Sequence, residues 1–234
     1  MTGTAQRIGR QSVERPVKYR DVCIPPRGLN GTVSMPVAAK GLVVFVHGSG
    51  SSRFSPRNVA VAEALNQADF ATLLFDLLTV AEEGDRCKVF DIPLLANRLL
   101  EAIRWVEQDL EISTLPLGLF GASTGAAAAL VVAAQTGDKV RAVVSRGGRP
   151  DLAAAALDSV RSPTLLVVGG RDDVVIRLNE LALARLQGAK SLRIVPGASH
   201  LFAEQGALEA VIELAEKWFS AHLGPGGARA APRG

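Results

Sequence analysis

Cysteine, tyrosine, tryptophan and methionine are all scarce in these 234 residues: there are two cysteines, one tyrosine, two tryptophans and two methionines. Cys23 and Cys87 are too few for a disulfide framework and show no metal-ligand spacing, so a reducing, cytoplasmic compartment is expected. The three histidines, His47, His200 and His222, are too dispersed for a zinc site, and neither a metal nor another cofactor is expected. No apolar run approaches the ~18 residues of a membrane span, and no membrane partner is expected. The stretch through Arg20 holds Arg7, Arg10, Arg15, Lys18 and Arg20 but lacks the apolar centre of a secretory signal. A net charge of +3 with scattered basic residues does not indicate a nucleic-acid partner, and composition leaves the oligomeric state open.

What is present is a globular composition, 48% hydrophobic and 21% charged, of ordinary length for one α/β domain. A single domain is expected over residues 1–223. The Gly, Ala, Pro and Arg-rich segment 224–234 has no periodicity and is expected to be a disordered tail.

Two extended segments, Val17 to Ile24 and Leu29 to Val37, flank Pro25, Pro26 and Gly28 and read as an antiparallel hairpin at a sheet edge. From Gly41 onward, short apolar runs alternate with longer helical ones, the pattern of a parallel sheet covered on both faces. The runs are Leu42 to Val46, Ala71 to Leu77, Leu115 to Phe120, Val140 to Val144, Thr164 to Val168 and Ser191 to Val195. With the hairpin they make a mostly parallel α/β sheet of about eight strands. Ser55 and Pro56 open a helix to about Ala68; after Asp91, Leu95, Leu99, Ile103, Val106 and Leu110 mark a helical stripe. Further helices are expected over Asp151 to Val160, Arg177 to Leu186 and Ala207 to His222.

Between the run ending at Phe120 and the helical run Ala126 to Ala134 sits Gly121-Ala122-Ser123-Thr124-Gly125. A G-x-S-x-G is weak alone, since about 0.14 accidental matches are expected at this glycine and serine content. A glycine-bounded turn with serine as a mere N-cap has the same pattern. The context adds meaning. A serine on a tight strand-to-helix turn projects its hydroxyl above the sheet, beside a helix N-terminus that favours developing negative charge.

This arrangement resembles the nucleophile elbow of the α/β-hydrolase superfamily, and the chain is similar in particular to the small, lidless, dienelactone-hydrolase-related branch. The resemblance covers about Val17 to Leu223. It departs from dienelactone hydrolases proper at position 123, serine where they use cysteine. Phe75-Asp76-Leu77-Leu78-Thr79, Phe120 to Gly125 and Pro196 to Phe202 also resemble hydrolase domains found fused to phosphoribosyltransferases, a likeness that says little about substrate.

The resemblance implies an acid and a histidine after the serine, in the order Ser, Asp, His. His200, in the turn Pro196 to His200 after the last strand, is the expected base; His47 precedes the serine and His222 lies near the terminal helix end. Asp172 fits the family's G-x-x-D-x-x-V spacing through Gly169 and Val175, while Asp173 and Asp151 remain alternatives. The oxyanion donors implied are the N–H of Thr124 and, from His47-Gly48-Ser49-Gly50 after Val43 to Val46, that of Ser49, with His47 structural. Gly48-x-Gly50 is not a dinucleotide motif, because position 53 is arginine where a third glycine belongs.

Together these residues imply hydrolysis of small or exposed carboxylic esters, thioesters or lactones through an acyl-enzyme, with a small-molecule ester as the partner. The link between Val144 and Thr164 has room for one short helix and no cap domain. Arg53, Arg57, Arg146 and Arg149 fall on loops at the strand C-terminal edge, where open α/β sheets bind ligands, and Arg53 and Arg146 are candidates for holding an acidic substrate group. A non-catalytic ligand-binding protein or an acyltransferase would share the same outline.

Overall fold

The computed structural model describes residues 16–224. Beyond Gly224 the tail expected to be disordered lies outside the described residues, as do the basic positions Arg7, Arg10 and Arg15.

Eight strands form one sheet: β1 (Val17–Ile24), β2 (Leu29–Pro36), β3 (Leu42–Val46), β4 (Ala71–Phe75), β5 (Leu117–Ala122), β6 (Val140–Arg146), β7 (Thr164–Gly169) and β8 (Lys190–Val195). Their order is β1-β2-β4-β3-β5-β6-β7-β8. The β1–β2 hairpin is antiparallel, β2 also runs antiparallel to β4, and every pairing from β4 through β3 to β8 is parallel. Strand side chains alternate between faces. Leu42, Val44 and Val46 of β3 enter one core, while Val43 and Phe45 enter the other. A strand buried on both faces must be apolar throughout, and all five β3 residues are buried.

The helices are α1 (Pro56–Gln67), α2 (Val80–Glu83), α3 (Arg86–Val89), α4 (Ile92–Gln108), α5 (Thr124–Thr136), α6 (Asp173–Arg185) and α7 (Ala207–Leu223). α4, α5 and α6 cover one face of the sheet, and α1 and α7 the other. In α4 the Asp91 carboxylate caps the first turn by accepting from the Leu94 N–H at 2.9 Å, and Leu95, Leu99, Ile103 and Val106 bury the stripe. Each such side chain removed from water stabilises the fold by about 1.5–3 kcal/mol. The fifth residue assigned to that stripe does not join it: Leu110 lies past the helix end and is 98% exposed.

Three other local expectations are corrected. The segment expected as one helix from Asp151 is instead a run of 3₁₀ turns, Pro150–Ser159, broken at Ala154 with φ 43°. Its alanines have helix propensity, yet the segment takes 3₁₀ turns and buries Pro150, Ala153 and Leu157. α6 begins at Asp173, four residues before the expected Arg177, and β5 runs to Ala122 rather than Phe120. The short α2 and α3 were not foreseen; local carboxylates hold them, Glu82 accepting from the Thr79 N–H and Asp85 from the Cys87 N–H.

Among the described residues, only the 3₁₀ turns and short connecting loops lie between β6 and β7, and no cap domain is inserted. No helix among them is long and apolar enough to cross a membrane.

Candidate active site

Strand register brings the candidate residues to one edge of the sheet. Val46 pairs with Gly121, Ala122 with Arg146, and Gly169 with Val195, so the loops after β3, β5, β7 and β8 leave the sheet side by side.

Ser123 is the hinge between β5 and α5, with φ 50° and ψ −120°. A side chain with positive φ costs about 1–3 kcal/mol and persists only where the surroundings impose it. Here the Ser123 N–H donates to the Arg146 carbonyl at 3.2 Å, and the Ser123 carbonyl accepts from the Ala126 and Arg149 amides at 3.2 and 3.1 Å. The flanking glycines are required by close approach. A Cβ on Gly121 would stand 2.5 Å from Ala126 Cα, and one on Gly125 would stand 2.1 Å from the Val46 carbonyl oxygen. Thus the two glycines let α5 dock against β3 and β5 with the serine at its mouth.

His200 follows the turn after β8, and Asp172 precedes α6. The His200 Nδ1 lies 2.7 Å from Asp172 Oδ2. A carboxylate can only accept, so Nδ1 carries the donated proton and Nε2 is left with its lone pair in the neutral ring. Asp172 occupies the N-cap position of α6 yet makes no capping bond; its carboxylate is turned to the histidine instead. The two alternative acids lie elsewhere. Asp151 is held by Arg149 in a two-pronged ion pair at 2.8 and 2.7 Å, and Asp173 is exposed in the first turn of α6.

Two residues beyond those foreseen hold the histidine loop. Glu204 accepts from the Ser199 amide at 2.9 Å and from Arg171 Nη2 at 2.6 Å, and these bonds hold its carboxyl down to about 2. The Arg171 amide donates to the Ala198 carbonyl at 2.9 Å. Sequence offered no signal for Glu204, because its partners flank the acid and the histidine rather than matching a motif.

Ser123 and His200 line one cavity of about 210 Å³, together with Gly48, Ser49, Arg57 and Arg146. A larger depression of about 690 Å³ shares the Ser49, Ser51, Ser55, Arg57 and Leu201 walls and adds apolar surface from Leu77, Leu78, Val89 and Leu95. The two adjoin through these shared residues.

Thr124 and Ser49 meet behind the Ser49 wall of the cavity, but with their groups arranged differently from the expectation of two free donors. The Ser49 N–H donates to the Thr124 hydroxyl at 2.9 Å, so in this state that amide is occupied. Thr124 is the first residue of α5, where N–H groups have no intrahelical acceptor. His47 lies buried beneath the loop, its Nδ1 3.1 Å from the Gly48 carbonyl and its Nε2 accepting from the Leu77 amide at 3.1 Å. Burial pushes its pKa below the ordinary value.

The four arginines separate into two kinds. Arg53 does not offer its charge to the cavity as expected: its amide donates to Asp76 Oδ1 at 2.8 Å and its guanidinium pairs with the other carboxylate oxygen. Arg149 is neutralised by Asp151. Arg57 and Arg146 line the cavity, and neither has a carboxylate at ion-pair distance among the described residues.

Residues 39–215 match the family described as alpha/beta hydrolase domain. Two curated relatives, from Mycobacterium tuberculosis strains CDC 1551 / Oshkosh and H37Rv, are 57% identical over 202 residues and bear the provisional name phosphoribosyl transferase. That match covers 86% of this chain and 46% of each relative, so the chain spans about half their length. A crystal structure described as dienelactone hydrolase from Anabaena variabilis superposes with a TM-score of 0.85 at 52% identity, over 89% of this chain and 99% of that one. Est1E from Butyrivibrio proteoclasticus superposes with a TM-score of 0.69 over 87% of this chain and 97% of that one, but at 18% identity it speaks for the fold alone. With half or more of its length matched to the family and its sheet and elbow laid out as above, the chain belongs to the alpha/beta hydrolases, in the dienelactone-hydrolase-like branch.

Proposed function

We propose that this chain is a hydrolase that cleaves carboxylic esters, with Ser123 as nucleophile, His200 as base and Asp172 as the acid that orients it. The observation that carries this reading is the His200 Nδ1 to Asp172 Oδ2 bond of 2.7 Å beside a cavity that His200 shares with a positive-φ serine.

Asp172 fixes the tautomer in which Nε2 can accept, so the imidazole takes the Ser123 hydroxyl proton as Oγ adds to the acyl carbonyl. The carbonyl oxygen becomes an oxyanion above the first turn of α5, where the Thr124 N–H receives it. The Ser49 N–H is the second donor, exchanging the Thr124 hydroxyl for the oxyanion once substrate is bound. One such donor is worth about 10²–10³ in kcat. The imidazolium then protonates the departing alcohol, leaving an acyl-enzyme. His200 next deprotonates a water that attacks the acyl carbonyl, and the carboxylic acid and free serine are released.

The open cleft supports small or exposed esters, with thioesters and lactones as chemically equivalent acyl donors. The free, exposed Cys23 and Cys87 support a reducing, cytoplasmic setting. The transferase name of the longer relatives is assigned, in this reading, to the part of them that lies outside the shared segment.

A fluorophosphonate probe tests the proposal. Wild-type protein is labelled, Ser123→Ala is not, and His200→Ala is labelled more slowly; an unlabelled wild-type protein overturns the reading and favours a non-catalytic binding role.

A further inference from the structure

Arg146 ends β6 and is 7% exposed, and the groups around it do not balance its charge. Its Nη2 donates to Asn58 Oδ1 at 3.3 Å, its Nε is buried without a partner, and its guanidinium carbon lies 5.9 Å from the Phe202 ring centre. These are neutral contacts. The neighbouring charge is Arg57, which is of the same sign, and burial together with that neighbour draws the Arg146 pKa down to about 10. The Arg57 Nε is likewise buried without a partner. Two cations that repel one another, one of them almost wholly out of water, are an unstable arrangement unless something negative joins them. The other two arginines on these loops, Arg53 and Arg149, each have an aspartate, so among the four the absence of one is particular to this pair.

We propose that Arg146 and Arg57 form an anion subsite, and that the ester this site cleaves carries a carboxylate or phosphate group a few atoms from its scissile carbonyl. The inference rests on the hydrolase reading for the identity of the reacting group, but the subsite itself does not. The short spacing follows from the size of the chamber: Ser123, His200, Arg57 and Arg146 all face the same 210 Å³. Of the two arginines, Arg57 alone also faces the larger depression with its Leu77, Leu78, Val89 and Leu95 wall. The anionic end therefore sits in the small chamber and an apolar remainder extends into the large one. A planar guanidinium presents paired donors that suit the two oxygens of either anion.

The test has a binding arm and a turnover arm. Ser123→Ala protein is titrated with inorganic phosphate and with succinate by calorimetry, which needs no catalysis, and the titrations are repeated with Arg146→Gln and Arg57→Gln in the same background. Wild-type enzyme is assayed with mono-4-nitrophenyl succinate against 4-nitrophenyl butyrate. Expected are binding of at least one anion, weakened at least tenfold by each arginine substitution, and a tenfold or greater kcat/KM preference for the anionic ester that collapses in both variants. Arg146→Lys, which keeps the charge but loses the fork, recovers part of the preference. Tighter binding of phosphate selects carboxylic esters that carry a phosphate group, and tighter binding of succinate selects half-esters of dicarboxylic acids. Turnover of both esters without preference, together with no anion binding, overturns the subsite and leaves the hydrolase reading standing. Anion binding lost with the arginines, in an enzyme that cleaves neither ester and takes no fluorophosphonate, upholds the subsite and overturns the hydrolase reading.

Discussion

Glu204 accepts a hydrogen bond from the amide of Ser199 at 2.9 Å, one residue before the candidate base His200. Its other oxygen accepts from Arg171 at 2.6 Å, one residue before the candidate acid Asp172. A single carboxylate thus ties the loop after β8 to the loop after β7.

Glu204→Gln is expected to lower kcat for a nitrophenyl ester by about ten- to a hundredfold with KM little changed, because loosening both loops misplaces the histidine. The sign of the pH effect follows from its acidity, about 2 in the folded protein against an ordinary 4.5. A depressed carboxyl stabilises the fold fully above the ordinary value, and that stabilisation is lost as pH falls through the folded one. Urea unfolding of Glu204→Gln should therefore show a shallower decline between these two values than wild type; parallel curves would remove Glu204 from this role.

The choice among three aspartates is checked by neutral replacement. Asp172→Asn is expected to reduce kcat by about 10³–10⁴, since the amide can favour the wrong imidazole tautomer. Asp173→Asn and Asp151→Asn should stay within about threefold of wild type, because neither carboxylate contacts His200. A comparable loss in Asp151→Asn would reassign the acid.

Gly125→Ala is expected to destabilise the protein by about 3 kcal/mol, roughly 6–12 °C in Tm, because the new methyl group meets the Val46 and His47 carbonyl oxygens at 2.1 and 2.4 Å. Gly84→Ala supplies the contrast. Its φ is −74° and nothing stands within 4 Å of an added Cβ, so calorimetric melting should be unchanged or raised slightly.

His47 gives a second, separate pH effect. Burial lowers its pKa from 6.5, so the fold binds the proton less readily than the unfolded chain does. Stability from the neutral ring is full above 6.5 and declines as pH drops towards the folded value. His47→Gln should be less stable at neutral pH by about 1–3 kcal/mol, through the unpaired Leu77 amide, yet lose less on mild acidification. An unchanged slope in chemical denaturation between pH 7 and 5 would show that His47 does not carry it.

Much of the fold is legible from periodicity because burial on both faces demands it. The run Leu42 to Val46 is uniformly apolar and becomes β3 to the residue; the hairpin strands and β8 fall within one residue of expectation. The boundaries that moved are those where tertiary contacts compete with local preference. β5 continues through Gly121 and Ala122 because these residues pair with β3 and β6, and the alanine-rich segment after Arg149 breaks into 3₁₀ turns against α5 and α6.

The amino-acid order by itself determined the alternation of strand and helix, the glycine-flanked serine at a strand-to-helix turn, and a histidine after the last strand. These are local properties of hydrophobic spacing and of residues with little steric bulk. Only the tertiary structure decided which aspartate meets His200, that the Ser49 amide is occupied by Thr124, and which arginines are left uncompensated. Arg53, Arg57, Arg146 and Arg149 look alike in sequence because ion pairing acts through space. Their difference is set by the carboxylates that β4, the 3₁₀ turns and the loops carry to within reach, and by how much water each guanidinium loses when the sheet closes around it.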